Sequence, residues 1–429
     1  MLTQLPPWRY PHLFKLWQQW QADGQQHQLD RWLGQQFRQH KQFGKKDRNA
    51  YRDAFFTAMR YLQLAHALEH SYRNTNTNWQ QWDKRWAVTH TACGTPAFWY
   101  WILLRAGVEC PSPNELEDGK ARQQHFETIA AQWAAMPTLT AESLLWHGFR
   151  PSWSEALSLR QQHSGWSTSE LQTFIKQCNE PAPICLRPQN GNASALATAL
   201  AAEQVETQAA NYGLVATSSI NVQQSASYLQ GKFELQDTAS QALAASVTLG
   251  EHETLWDVCA GAGGKSLAFA NAAPTAQILA TDIRNNALKQ LTQRCQRGGF
   301  SNINSEQHDA TQTLPEHLMP ANGFDWVFID APCSAAGTWR RAADARWRMN
   351  DIGELISLQQ AILSNAAKHL RIGGQLIYAT CSWLSEENEA QVTTFLAQNP
   401  PFTLLEQQCV GSPTINADTM FFAKLQRTK

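Results

Sequence analysis

Along residues 1 to about 140, apolar side chains recur at helical spacing, as in LDRWLGQQFRQH from Leu29 and AYRDAFFTAMRYLQLAHALE from Ala50. No clear apolar–polar alternation interrupts them, so the pattern predicts a helical N-terminal domain. Between about 141 and 235, Pro151, Pro181, Pro183 and Pro188 break the periodicity. The pieces PICLR and YGLVAT read as short strands and SALATALAAEQ as a helix, which predicts a small α/β, RRM-like linker domain. From 236 to 429, short apolar runs alternate with helical ones. That is the pattern of a doubly wound, Rossmann-like parallel sheet.

The ends of the predicted strands carry the chemistry. LWDV, from Leu255, runs into the loop Cys259, Ala260, Gly261, Ala262, Gly263, Gly264 and Lys265, and then into an apolar helix pattern. Such a loop lets a ligand approach backbone N–H groups at a helix N-terminus. The next strand, QILATDI, ends in Asp282, at the distance where an acid accepts hydrogen bonds from a ribose diol. A nucleoside-bearing cofactor is therefore expected. INSEQHD delivers Asp309, DWVFID delivers Asp330 followed by Pro332 and Cys333, and GGQLIYAT delivers Cys381. In an open parallel sheet these residues gather along one rim, so two cysteines about fifty positions apart should share a cleft with Asp330.

Composition narrows the class. Thirty-five basic residues nearly cancel thirty-six acidic ones over 429 positions, so a nucleic-acid surface must be a local patch. The nine cysteines lack metal-ligand spacing, and the sequence beginning MLTQLPPWRY carries no signal-peptide core, which argues for a reducing cytoplasmic compartment. FWYWILL, from Phe98, is too short to span a bilayer, so no membrane is expected. Eighteen tryptophans are many. At helical spacing they read as core first and as base-stacking platforms second.

Several segments carry a resemblance. DVCAGAGGKS, DAPCSAAG, ATCS followed by SEENEAQV, and GKFELQDTASQ together resemble the Sun/nucleolar-protein family of RNA cytosine-5 methyltransferases, bacterial ribosomal RNA type. LRPQN from Leu186, RRAADARW from Arg340 and DTMFFAKL are similar to further family segments, and the N-terminal LDRWLGQQFRQHKQFGKKDRNAYRD to the helical region of some bacterial members. Ala335 and Ala343 stand where the family usually has glycine and proline.

The resemblance implies S-adenosylmethionine as cofactor, held by residues 259–265, Asp282, Asp309 and Asp330. It implies Cys381 as the nucleophile on carbon 6 of cytosine, Cys333 as the residue that assists release, and Asp330 on the ring nitrogen. DNA cytosine methyltransferases instead use the Pro-Cys cysteine as nucleophile. A reactive thiol needs its charged form favoured. Ser385 is expected to cap a helix just after Cys381 for that purpose, although Glu386 and Glu387 partly offset the dipole. Arg340, Arg341 and Arg346, with Arg348, form a basic loop expected to hold RNA phosphates. The expected substrate is 16S ribosomal RNA, with transfer RNA as the alternative, and the expected state is a monomer. A silent RNA-binding assembly factor should have lost a thiol or a loop glycine. A nicotinamide-dependent dehydrogenase leaves the two cysteines unexplained.

Overall fold

The computed structural model describes residues 9–23, 27–87, 94–108, 116, 118–189, 191–217, 222–348 and 352–429. They divide into two compact units, 1–180 with 339–350, and 181–338 with 351–429.

The first unit is helical. Local chemistry sets its helix starts: Asn78 and Thr95 accept the backbone N–H three residues on, at 3.0 and 3.1 Å. Ser167 and Glu170 form a reciprocal capping box at the start of Thr168–Gln177. The tryptophans at helical spacing are core. Trp17, Trp20, Trp32, Trp99 and Trp101 are buried, and the Trp17 ring stacks on Phe98 with centroids 5.7 Å apart.

The boundary expected near residue 140 lies instead at Glu180. The helices Ala141–Trp146, Ser154–Ser164 and Thr168–Gln177 belong to the helical unit. Leu145 and Trp146 complete the core that holds Trp79 and Trp133, so burial of these apolar side chains decides the boundary. Pro151 does not end the unit. It opens a single 3₁₀ turn between two helices, where its missing N–H costs nothing.

The second unit holds two sheets. Strands β1 (Ile184–Pro188), β2 (Thr207–Ala210), β3 (Gly213–Ala216) and β4 (Phe233–Leu235) form an antiparallel sheet in the order β2-β3-β1-β4. The helix Ala193–Ala202 buries Leu196 and Leu200 against it. The larger sheet contains β5 (Thr254–Asp257), β6 (Gln277–Asp282), β7 (Ile303–Gln307), β8 (Phe324–Asp330), β9 (Leu370–Thr380), β10 (Phe402–Gly411) and β11 (Thr419–Arg427). Its order is β10-β11-β9-β8-β5-β6-β7.

From β9 through β7 every pairing is parallel, as the alternating pattern predicts. The last two strands depart from a wholly parallel sheet, because β11 runs antiparallel to both β9 and β10. The link at 412–418 is too short for a crossover, so the chain returns as a hairpin. After β7 the chain returns to the opposite side of β5, which creates a switch point between β5 and β8. Among the described residues no helix is long and apolar enough to cross a membrane.

Candidate active site

Every predicted strand-end residue lies on the carboxyl rim, in the lateral order Cys381, Asp330, the 259–265 loop, Asp282 and Asp309. The loop turns through two positive-φ glycines, Gly261 at 58° and Gly263 at 79°. They serve different ends. A Cβ on Gly263 would lie 2.0 Å from Leu291 Cδ1, so this glycine lets helix Asn285–Gly298 pack closely. Nothing lies within 4 Å of a Cβ on Gly264, which opens the helix Gly264–Ala272. Ala260 N–H is spent on Thr281 O at 2.8 Å, and Ala262 O accepts Arg294 Nη1 at 2.6 Å. Cys259 is a partly buried thiol whose pKa burial pushes up.

Asp282 is 5% exposed and is held below the ordinary carboxylate range. Burial works upward there, and hydrogen bonds from Arg284 and Gly261 outweigh it. Beside it, Ile283 is 61% exposed, an apolar platform next to the acid. Sequence reading passed over it because one apolar residue at a strand end carries no periodic signal. Asp309 is exposed, and its Oδ1 accepts Thr311 N at 3.0 Å and Oγ1 at 2.8 Å.

At the other end of the rim, Lys265 Nζ donates to Asp330 Oδ2 at 2.7 Å. Burial works against the Lys265 charge, but Asp330 outweighs it and holds the ammonium above the usual lysine range. The two thiols meet as expected, with Cys333 Sγ 3.2 Å from Cys381 Sγ. The expectation that local structure favours the Cys381 thiolate is overturned. The hydrogen bond with Cys333 pushes the Cys381 pKa up, burial adds to this, and the Lys265 charge opposes it. Nor does Ser385 cap a helix: residues 385–388 form a turn, and the helix begins at Glu389. The local signal of a serine followed by acids fits a turn equally well.

That turn has another use. Buried Glu387 accepts Ser334 N at 2.8 Å, Ser334 Oγ at 2.5 Å and Gln359 Nε2 at 3.0 Å. Asn388 receives Thr380 Oγ1 at 2.6 Å and donates to Ser382 O at 2.9 Å. The SEENEA stretch therefore ties the Cys333 loop to the Cys381 loop. Its acids were legible in the sequence, but their burial was not.

GKFELQD has a comparable role. Glu234 accepts Arg294 Nη2 at 2.9 Å and also Arg297, anchoring the 259–265 loop to β4 through Arg294. Asp237 caps the helix Thr238–Ala245.

The arginine loop departs most from expectation. Residues 339–350 belong to the helical unit, and Arg346 is 1% exposed. Its Nη1 donates to Arg60 O, Gly148 O and Asn179 Oδ1 at 2.9, 2.8 and 3.1 Å, and its guanidinium lies 4.8 Å from the Trp339 ring. Arg340 is also buried and donates to Glu180 O at 3.3 Å. Arg348 pairs with Asp344 at 2.7 Å, and Arg341 is exposed. A guanidinium has five donors, and helix-end carbonyls compete for them as well as phosphates do. Arg340 and Arg346 are thus structural ties in this conformation, not a phosphate surface.

Comparison with known proteins finds a family similarity mostly in the second unit. Residues 244–426 match the family model described as 16S rRNA methyltransferase RsmB/F. The chain is similar to this family over those residues. Ribosomal RNA small subunit methyltransferase B of Erwinia tasmaniensis is 36% identical over 205 residues, 46% of this chain and 47% of that protein. The protein of the same name from Pectobacterium carotovorum is 31% identical over 294 residues, 65% and 66% of the two chains. This chain thus spans about half the length of the first curated relatives it matches. The crystal structure of PH0851 shares the fold, with a TM-score of 0.72 at 20% identity, covering 99% of this chain and 100% of that one.

Ala335 and Ala343, the two departures from the resembled family's usual residues, both have structural consequences. Ala335 adopts φ 58°, the left-handed region where a glycine is at ease, two residues after Cys333. Ala343 is fully buried in the core of the helical unit.

Proposed function

We propose that this protein is an RNA cytosine-5 methyltransferase that uses S-adenosylmethionine and acts on small-subunit ribosomal RNA through a covalent Cys381 adduct. The observation that carries this reading is the pair of thiols 3.2 Å apart at the ends of neighbouring strands, beside the Lys265–Asp330 pair. The family-model match over residues 244–426 and the names of the relatives support the substrate class.

The loop 259–265, Asp282 and Ile283 fit a nucleoside, because they offer a glycine turn open at Gly264, a buried carboxylate and an exposed apolar platform. When bound, S-adenosylmethionine supplies an electrophilic methyl group. The chain's own groups do the rest. Cys381 passes its proton to solvent and its sulfur bonds to carbon 6, pushing the ring electrons toward the ring nitrogen and carbonyl oxygen and making carbon 5 nucleophilic. Asp330 is assigned to the ring nitrogen, and Lys265, which it holds, is the donor to that developing charge. After carbon 5 has been methylated, its proton passes to a base, for which Cys333 is the candidate. The C–H electrons then restore the 5,6 double bond, and the carbon–sulfur bond breaks toward Cys381.

RNA contacts fall to other surfaces than Arg340 and Arg346. The helical unit has a cavity of about 700 Å³ with Trp82, Trp86 and His70 in its walls and Arg73 and Arg85 beside them. Aromatic faces suit unpaired bases, and guanidinium groups suit phosphates. Bisulfite sequencing of total RNA from a deletion strain and its parent tests the whole reading. Loss of one methylated small-subunit cytidine is expected, whereas an unchanged small-subunit profile or loss in transfer RNA overturns the assigned substrate.

A further inference from the structure

The Asp282 carboxylate is filled by its own neighbours. A carboxylate has about four lone-pair positions. Here Oδ2 accepts Gly261 N at 2.9 Å and Arg284 Nη2 at 3.0 Å, while Oδ1 accepts Arg284 N at 2.8 Å and Arg284 Nε at 2.9 Å. No position is left for a further donor.

The four donors differ in how readily they leave. The two backbone N–H groups are fixed by the loop and by the start of the helix Asn285–Gly298. The guanidinium belongs to a side chain that is 67% exposed, and such an ion pair is worth little in water. If it swings away, it vacates one position on each carboxylate oxygen. A vicinal diol has two O–H donors to fill one position on each oxygen, just as the Nε and Nη2 fork does. The guanidinium also covers the loop, since a Cβ on Gly261 would sit 3.5 Å from Arg284 Nη2.

We propose that the Arg284 guanidinium holds the place of a ribose diol on Asp282 and is exchanged for the diol when the cofactor binds. Arg284 is then a positioning residue. It keeps the carboxylate charged and oriented in the free protein, and it sets a threshold that only a ligand bearing both hydroxyls passes. The fork opposes binding, so its removal strengthens the complex, whereas removing an arginine that contacts the ligand would weaken it. The proposal rests on the reading of Asp282 as the ribose ligand.

Calorimetric titration of S-adenosylhomocysteine and of its 2′,3′-dideoxy analogue tests it, using the full chain, Arg284→Ala, Arg284→Gln and Asp282→Ala. Arg284→Ala is expected to bind S-adenosylhomocysteine about fivefold tighter, the worth of one exposed ion pair, with Arg284→Gln between it and the parent. The dideoxy analogue should gain nothing. Added salt should strengthen binding to the parent and leave Arg284→Ala unchanged, because screening loosens only the parent's latch. Equal or weaker binding by Arg284→Ala overturns the proposal, as does an equal gain for both ligands, which would mark a long-range charge effect. If Asp282→Ala binds as the parent does, or if no form binds, the reading of Asp282 fails first and takes the exchange with it.

Discussion

Cys333 Sγ lies 3.2 Å from Cys381 Sγ, although 48 positions separate them in the chain. Parallel pairing of β8 with β9 sets their loops side by side, and Gly337 N donates to Cys381 O at 2.9 Å. Glu387 locks the arrangement from below through Ser334. Two thiols at one carbon–carbon bond can divide attack and release between them. If they do, Cys381→Ala loses both methyl transfer and any covalent RNA adduct. Cys333→Ala should still attack and methylate but stay attached to its RNA, giving a slow band on a denaturing gel. Trapping by Cys381→Ala and not by Cys333→Ala would reverse the roles.

The same closeness predicts a pH dependence. The Cys381 thiol is held above its ordinary value, first by the hydrogen bond with Cys333 and then by burial. A raised thiol pKa leaves little thiolate at neutral pH, and each unit of added alkalinity increases that fraction about tenfold until the pKa is reached. Single-turnover methylation should therefore rise through neutral pH and still be rising at about pH 9, the region of an ordinary thiol. A plateau reached near neutrality would mean that RNA binding has already expelled the Cys381 proton.

Ala335 carries local strain. Its φ of 58° brings Cβ close to the following carbonyl, a cost of about 1 to 2 kcal/mol that glycine does not incur. Glycine also gains freedom in the unfolded chain, which offsets part of the benefit. Ala335→Gly is expected to stabilise the second unit by up to about 1 kcal/mol, read from chemical denaturation. A loss of stability would show that the Ala335 methyl makes contacts worth more than the strain.

Arg346 gives a prediction of opposite character from the sequence expectation. Its removal leaves the carbonyls of Arg60 and Gly148 without a donor inside the helical core. Arg346→Ala should destabilise the helical unit by about 3 kcal/mol or more, seen as earlier loss of tryptophan fluorescence on denaturation. The salt dependence of RNA binding by the folded fraction should keep its slope, because no phosphate contact has been lost. A flatter slope with unchanged stability would restore Arg346 to the RNA surface.

Strand ends were the most legible part of this protein. Each of β5, β6, β8 and β9 is a short apolar run bounded by a polar or glycine-rich stop, and that pattern alone places Asp282, Asp330 and Cys381 on one rim. Alternation of strand and helix fixes parallel crossovers, and those put all carboxyl ends on the same side. The helical tryptophans were equally legible as core, since spacing at 3.6 residues per turn is a local property.

What tertiary structure decided are the partners of charged and polar groups, because such partners come from distant positions and leave no periodic trace. Four arginines near Asp330 in sequence read alike. Only packing shows Arg346 spent on buried carbonyls, Arg348 on Asp344, and Arg341 exposed. Glu387 read as a helix-start acid until its burial made it the bridge between two thiol loops. Lys265 read as part of a cofactor loop until its ammonium met Asp330. Sequence thus determines which residues reach the rim, because backbone periodicity is local. The structure determines which of them are occupied, because a hydrogen bond depends on whatever the fold brings within about 3 Å.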